Sequence, residues 1–261
     1  KVVLSRYKIP VKRFIPLLFI WLAIITAFLL PRFGAVNWEV LATTKYLLLS
    51  LGMLVVAVTW NSFYYRGIQS EEIHEFELVM LLSPLFTIIF SEIFLASERN
   101  LELFIAGAIA SVALIISRFR HHHLQITKNT SIIFVAMIFM SAESIFIKLL
   151  LDVFSPVALY FVRTAIMSVI FLVFWRPKLL SMPAKCFAYT IISAIFGVIQ
   201  MVLKFYGFAR LGVVETTIIL VLGPFLVYFF SAFYFKENLK KRDIIAALIV
   251  IASVLYVTLF R

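Results

Sequence analysis

The chain has 261 residues, of which 64% are hydrophobic and 14% charged, with a mean hydropathy of +1.08 and a formal net charge of +11. This composition excludes a water-soluble globular fold, which needs more polar surface than these residues supply, and fits a polytopic helical bundle whose apolar side chains face lipid. A single cysteine, Cys186, permits no intrachain disulfide.

A bilayer core about 30 Å thick takes roughly 20 apolar residues per helix. Nine transmembrane helices are predicted, at 14–31, 40–62, 76–96, 101–117, 131–151, 155–175, 185–205, 213–235 and 243–260. The first follows Lys1, Arg6, Lys8, Lys12 and Arg13 as a signal peptide would. It ends at Pro31-Arg32 without a small-residue cleavage site, however, and reads as a retained helix. The longest breaks, 63–75 and 118–130, leave little room for a soluble domain, so function is expected inside the bundle.

Orientation is written in the short loops, because Lys and Arg resist translocation. One side collects Lys1, Arg6, Lys8, Lys12, Arg13, Arg66, Arg118, Arg120, Lys128, Arg176, Lys178, Lys185, Lys236, Lys240, Lys241 and Arg242. The other has Arg32, Arg99, Arg210 and Arg261, while Lys45, Lys148, Arg163 and Lys204 fall within spans. The tally places the first residue inside and the last outside. Charges alternating between loops are topology signals, and no nucleic acid is expected as a partner.

The sequence repeats itself. Ser83-Pro84-Leu85-Phe86 matches Gly223-Pro224-Phe225-Leu226; at the same offset Glu75 matches Glu215, and Ile105-Ala106 matches Ile245-Ala246. Each half carries a helix broken by a small residue plus Pro, a tight charged turn and a closing helix. Five helices per repeat is an odd number, so consecutive repeats enter the membrane from opposite faces. The expected organisation is a first repeat over 1–118 with four helices, a basic linker over 119–130, and a second repeat over 131–261 with five. Lys1–Arg13 resembles Lys148–Arg163, with Pro10 matching Pro156, and the first repeat is expected to lack its first helix.

On these motifs the chain resembles the EamA-type members of the drug/metabolite transporter superfamily, which carry two such five-helix repeats. The signature is a small residue and Pro in the fourth helix, an acidic residue about thirteen positions on, then Gly nine later. Pro84, Glu98 and Gly107 fit with one extra residue before the glutamate; Pro224, Glu237 and Ala246 fit with Ala for Gly. The resemblance implies both termini of the ten-helix plan in the cytoplasm; with the first helix missing, this would put residues 1–13 and the other basic loops outside, opposite to the loop tally.

Substrate sites of repeat transporters lie where helices break near the midplane. Pro84, Gly223 and Pro224 mark such breaks, as hinges, as site lining or as ordinary packed kinks. Each proline removes a donor and pushes away the carbonyl four residues earlier. Charge within a span is costly and therefore informative. Glu143 and Arg163 lie ten residues either side of a turn near Val153, about 15 Å below it at 1.5 Å per residue, so they can pair. A structural ion pair and a substrate or proton site both stay open, and the resemblance supports the arginine. Lys204 and Glu215 repeat the geometry nearer the surface, where a structural pair is favoured. Trp60, Asn61 and Tyr64, with Gln200 and Tyr206, form stripes on helices that the resemblance places around a central cavity; the aromatics could equally form an interfacial belt.

His121-His122-His123 does not share one helical face and lacks carboxylate or thiolate partners, so no metal is expected. No P-loop, GxSxG, HExxH or paired-cysteine motif occurs, so no cofactor or enzymatic activity is expected. The sequence therefore reads as a multi-pass cell-membrane protein. Its expected role is a secondary active transporter, working as an exporter, for small metabolites such as amino acids or related compounds. It would use alternating access, with Glu143 as candidate carrier of a coupling proton. The expected partners are a small-molecule substrate, the lipid bilayer and a second copy in a homodimer. An integral membrane lipid-modifying enzyme and a non-transporting partner subunit are the alternatives.

Overall fold

The computed structural model describes residues 4, 7, 9–70, 79–118, 128–178, 182–223, 226 and 241–259. These form ten α-helices: α1 Val11–Phe33, α2 Trp38–Leu41, α3 Thr44–Ser70, α4 Ser83–Phe94, α5 Leu101–Arg118, α6 Lys128–Leu150, α7 Pro156–Trp175, α8 Ala184–Arg210, α9 Val213–Leu220 and α10 Lys241–Leu259. Among the described residues, Val11–Phe33, Thr44–Gln69, Ser131–Leu150, Pro156–Trp175 and Ala184–Arg210 are long and apolar enough to cross a membrane. Shorter apolar stretches occur at Ser83–Phe94, Leu101–Ala113 and Ile244–Tyr256. The protein is a helical membrane protein, with five of the nine predicted spans reaching full length. Two of the others, 76–96 and 213–235, run partly through residues outside the described set.

The chain divides into two compact units, residues 1–72 with 146–210 and residues 73–145 with 211–261. Each draws on both sequence halves.

In the first unit α1 packs on α7 and α8, with Phe19 against Phe171 at 5.5 Å between ring centroids. Small residues let helices approach closely, as lipid-embedded packing requires. A Cβ on Gly52 of α3 would lie 2.8 Å from the Phe146 ring, and one on Gly197 of α8 would lie 3.3 Å from Leu22. Lys148 donates to the Phe208 carbonyl at 2.8 Å, meeting an acceptor near the C-terminus of α8. The segment after α1 is clasped to the turn before α7. Asn37 donates its N–H to the Val153 carbonyl at 2.9 Å, and Ser155 donates its own to Ala35 at 2.8 Å. The Ser155 hydroxyl accepts from the Ala35 amide at 2.9 Å, caps α7 by accepting from Ala158 at 3.3 Å, and donates to the Phe33 carbonyl at 2.9 Å. Pro156 follows at the first helical position, where its missing donor costs nothing.

In the second unit α5 and α10 meet through Ala110, Ala113, Ala246, Ala247 and Val250. Ile88 of α4, Ala106 of α5, and Val214 and Ile218 of α9 form a second buried cluster. Gly107 stands at its edge, where a Cβ would come within 2.6 Å of Ile88 and 3.2 Å of Ile218.

Ser155→Ala removes three bonds at one joint. It is expected to lower stability by about 1–2 kcal/mol, read from SDS-induced unfolding in mixed micelles; an unshifted midpoint would show that the clasp contributes nothing.

Candidate functional site

Of the residues that sequence reasoning singled out, the structure brings Arg163, Trp60 and Tyr64 together in the first unit. Arg163 stands on α7 and is 2% exposed. Its guanidinium carbon lies 5.8 Å from the centre of the Trp60 ring on α3 and 6.0 Å from that of Tyr160, one helical turn back on α7. Facing the electron-rich surface of an aromatic ring is one of the few arrangements that compensate a desolvated guanidinium without a second full charge. The rings continue on both sides. Trp60 meets Tyr64 at 5.6 Å edge-on, Tyr64 meets Tyr65 at 5.1 Å, and Tyr65 meets Phe14 of α1 at 5.5 Å. On the other side Tyr160 meets Phe205 of α8 at 5.6 Å. Edge-to-face contacts set each ring plane by its neighbour, so the aromatic wall around Arg163 is pre-organised.

The remaining candidates fall elsewhere. Asn61 is 3% exposed, but its amide donates to the Ala57 carbonyl of its own helix at 2.8 Å. Gln200 is exposed and Tyr206 half-buried on α8. Lys204 is half-buried, its ammonium 5.1 Å from the centre of the Phe208 ring. Glu143 belongs to the second unit, 2% exposed on α6 beside buried Ser141 and Ser144.

At Pro84 the sequence reading expected a hinge, site lining or a packed kink. Residues 79–80 are helical, 81–82 form a turn, and α4 starts at Ser83 with Pro84 in its first turn. The Ser83 carbonyl accepts from the Ser141 hydroxyl at 3.2 Å. In the second half α9 ends at Leu220, a turn follows at 221, and a Cβ on Gly223 would meet nothing within 4 Å. Pro224, Glu237 and His121-His122-His123 lie outside the described residues.

One assembly in the second unit carried no role in the sequence reading. The Glu98 carboxylate accepts from the Val213 amide at 2.7 Å, from Val214 at 3.4 Å and from the Ser91 hydroxyl at 3.2 Å. Arg99 donates to the Glu92 and Ile93 carbonyls at the end of α4, each at 2.9 Å, and Asn100 caps α5 through Glu102 and Leu103. Three consecutive side chains thus terminate three helices, beside a hollow of about 210 Å³ that Glu102, Glu215 and Tyr256 also line.

A family model described as EamA-like transporter family matches residues 129–259, half of the chain. The chain belongs to that family. This EamA-like chain is therefore a membrane transporter of the drug/metabolite kind, as its repeated motifs led us to expect. No curated protein matches it. A crystal structure described only as that of a protein is similar over 97% of this chain and 89% of its own, with a TM-score of 0.71 at 14% identity. At that identity the likeness concerns the fold alone.

Within this EamA-like transporter, Tyr160 and Tyr65 are the residues that sequence reasoning passed over. Tyr160 had a signal, standing three residues before Arg163 and hence on the same helical face. A Trp60→Leu, Arg163→Leu double-mutant cycle should return a coupling of about 0.5–2 kcal/mol in unfolding free energy. Strictly additive losses would show that the ring and the guanidinium do not support each other.

Proposed function

We propose that the protein is a secondary active transporter that exports small metabolites carrying an anionic group, such as amino acids or related compounds, by alternating access. Family membership supports transport in general. The observation that carries the finer reading is Arg163, a permanent cation buried between Trp60 and Tyr160.

A buried guanidinium is poised for a carboxylate. Its planar fork matches the two oxygens of the ligand, and its site is already partly desolvated, so each new bond is charge-assisted. The aromatic neighbours exclude water and offer apolar surface to the rest of the molecule. Trp60, Tyr64 and Arg163 are the residues we assign to substrate. Asn61, Gln200, Lys204 and Tyr206 take lesser parts, since Asn61 already spends a donor on its own helix and Gln200 is exposed. The breaks beside Pro84 and Gly223 are where the helices would bend.

Glu143 is our candidate for a coupling proton. Its burial on α6 supports that role, because an ionisable side chain inside a membrane-spanning helix is costly and marks substrate and proton pathways.

Counterflow by the purified full chain in proteoliposomes, screened against labelled amino acids and related carboxylates, tests the reading. Arg163→Ala should reduce uptake of a carboxylate substrate at least about 30-fold, as removal of a buried charge-assisted contact implies; normal uptake would sink the binding role. Glu143→Gln should spare exchange while abolishing the response to a pH gradient, and an unchanged response would reject proton coupling.

A further inference from the structure

We propose that Glu98 is a positioning residue for transport, a carboxylate that seats the start of α9 and keeps it in register with the rest of its own unit. The inference rests on the transporter reading above.

α9 needs such a partner. It begins at Val213 after Gly212, which brings no side-chain cap, and Val213 and Val214 have none to offer. The first amides of a helix carry bare donors and a partial positive charge, which in a membrane protein must be met from within the chain. Glu98 meets two of them at 2.7 and 3.4 Å from a position 115 residues earlier. Its own place is fixed on both sides, by Ser91 at 3.2 Å, by Arg99 on the end of α4 and by Asn100 on the start of α5. A shift of α9 therefore cannot occur without breaking a charge-assisted bond to a loop tied to two other helices.

Gly212 supports the same assignment. Its φ of +96° is a conformation that side chains rarely adopt, and a Cβ there would stand 3.0 Å from the Glu98 carboxylate oxygen. The chain needs glycine at that point for the carboxylate to reach the helix. What the cap holds in place is also defined. Glu215, two residues beyond the capped amide and 6% exposed, lines the same hollow as Glu98 and Glu102. α9 then ends at Leu220, ahead of a turn at 221, and is only 8 residues long. A short segment like this has too few internal bonds to hold its own register, and the external carboxylate supplies the fixed end.

The test uses the full chain in nanodiscs and proteoliposomes, with wild type, Glu98→Ala, Glu98→Gln and Gly212→Ala. Hydrogen exchange of the peptide spanning 211–220 should quicken about 10- to 100-fold in Glu98→Ala, as loss of a charge-assisted cap implies. Glu98→Gln, which keeps an acceptor, should fall between it and wild type, while peptides from 156–175 keep wild-type protection in all variants. In counterflow of a radiolabelled L-amino-acid mixture, Glu98→Ala and Gly212→Ala should lose at least about tenfold in maximal rate. Half-saturation should stay within about twofold of wild type, because the Arg163 site lies in the other unit. Wild-type exchange at 211–220, a wild-type maximal rate, or protection lost equally across both units in Glu98→Gln would each overturn the proposal. A wild-type chain that accumulates none of these amino acids would count against the transport reading instead, and hydrogen exchange would still decide whether Glu98 seats α9.

Discussion

Hydrocarbon offers no hydrogen bonds, and most of what is specific in this protein follows from that constraint. Each polar group inside an apolar run must find its partner within the chain. Hydroxyls solve this by bonding one turn back along their own helix, as Thr26 does to Leu22, Thr164 to Tyr160, Thr190 to Cys186 and Thr217 to Val213. Where helices stop, the partner comes from elsewhere in sequence: Ser155 for α7 and the end of α1, Lys148 for α8, Ser141 for the break at Ser83. The polar residues of the described helices are mostly the means by which interrupted backbone is kept satisfied.

Arg163 stands apart because it is charged and buried on a helix that does not need it for capping. A buried cation is destabilising unless the surroundings are arranged for it, and replacing such a group by a hydrocarbon of similar volume is often neutral or favourable. In this chain the compensation comes in part from ordered rings, Trp60 on α3 and Tyr160 on α7. These two rings are part of what makes the buried cation tolerable.

The membrane class and the apolar helices were legible in the sequence because they depend on a quantity that a sequence states directly, the length of an apolar run. Charge within a span also singled out Arg163, which is buried on α7. The rotation of each helix was not legible. Helical spacing put Asn61 on a stripe with Trp60 and Tyr64, yet its amide turns back to Ala57. Gln200 shares a face with Lys204 by spacing but is exposed. The contacts of Glu98 were hidden for another reason. It stood in the family signature, but its partners at Val213 and Val214 are backbone amides, and a backbone amide leaves no mark in the residue letters. The division into compact units was equally invisible, since the sequence halves are continuous and the units are not.

That interleaving bears on how the protein is made. The Glu98 carboxylate precedes its Val213 partner by 115 residues, a delay of roughly 6 to 23 seconds at ordinary rates of synthesis. Both units take their last helices from the second half of the chain, so neither is complete while the first half alone has left the ribosome. During that interval α1, α3, α4 and α5 must persist in the bilayer with their long-range partners unmade. The loop that ends α4 and starts α5 does so with its local contacts, Arg99 to the carbonyls behind it and Asn100 to the amides ahead, already closed. These bonds span only a few residues, so the seat for α9 can be finished long before α9 is synthesised, and assembly of the second unit can end with the docking of a helix into a waiting acceptor.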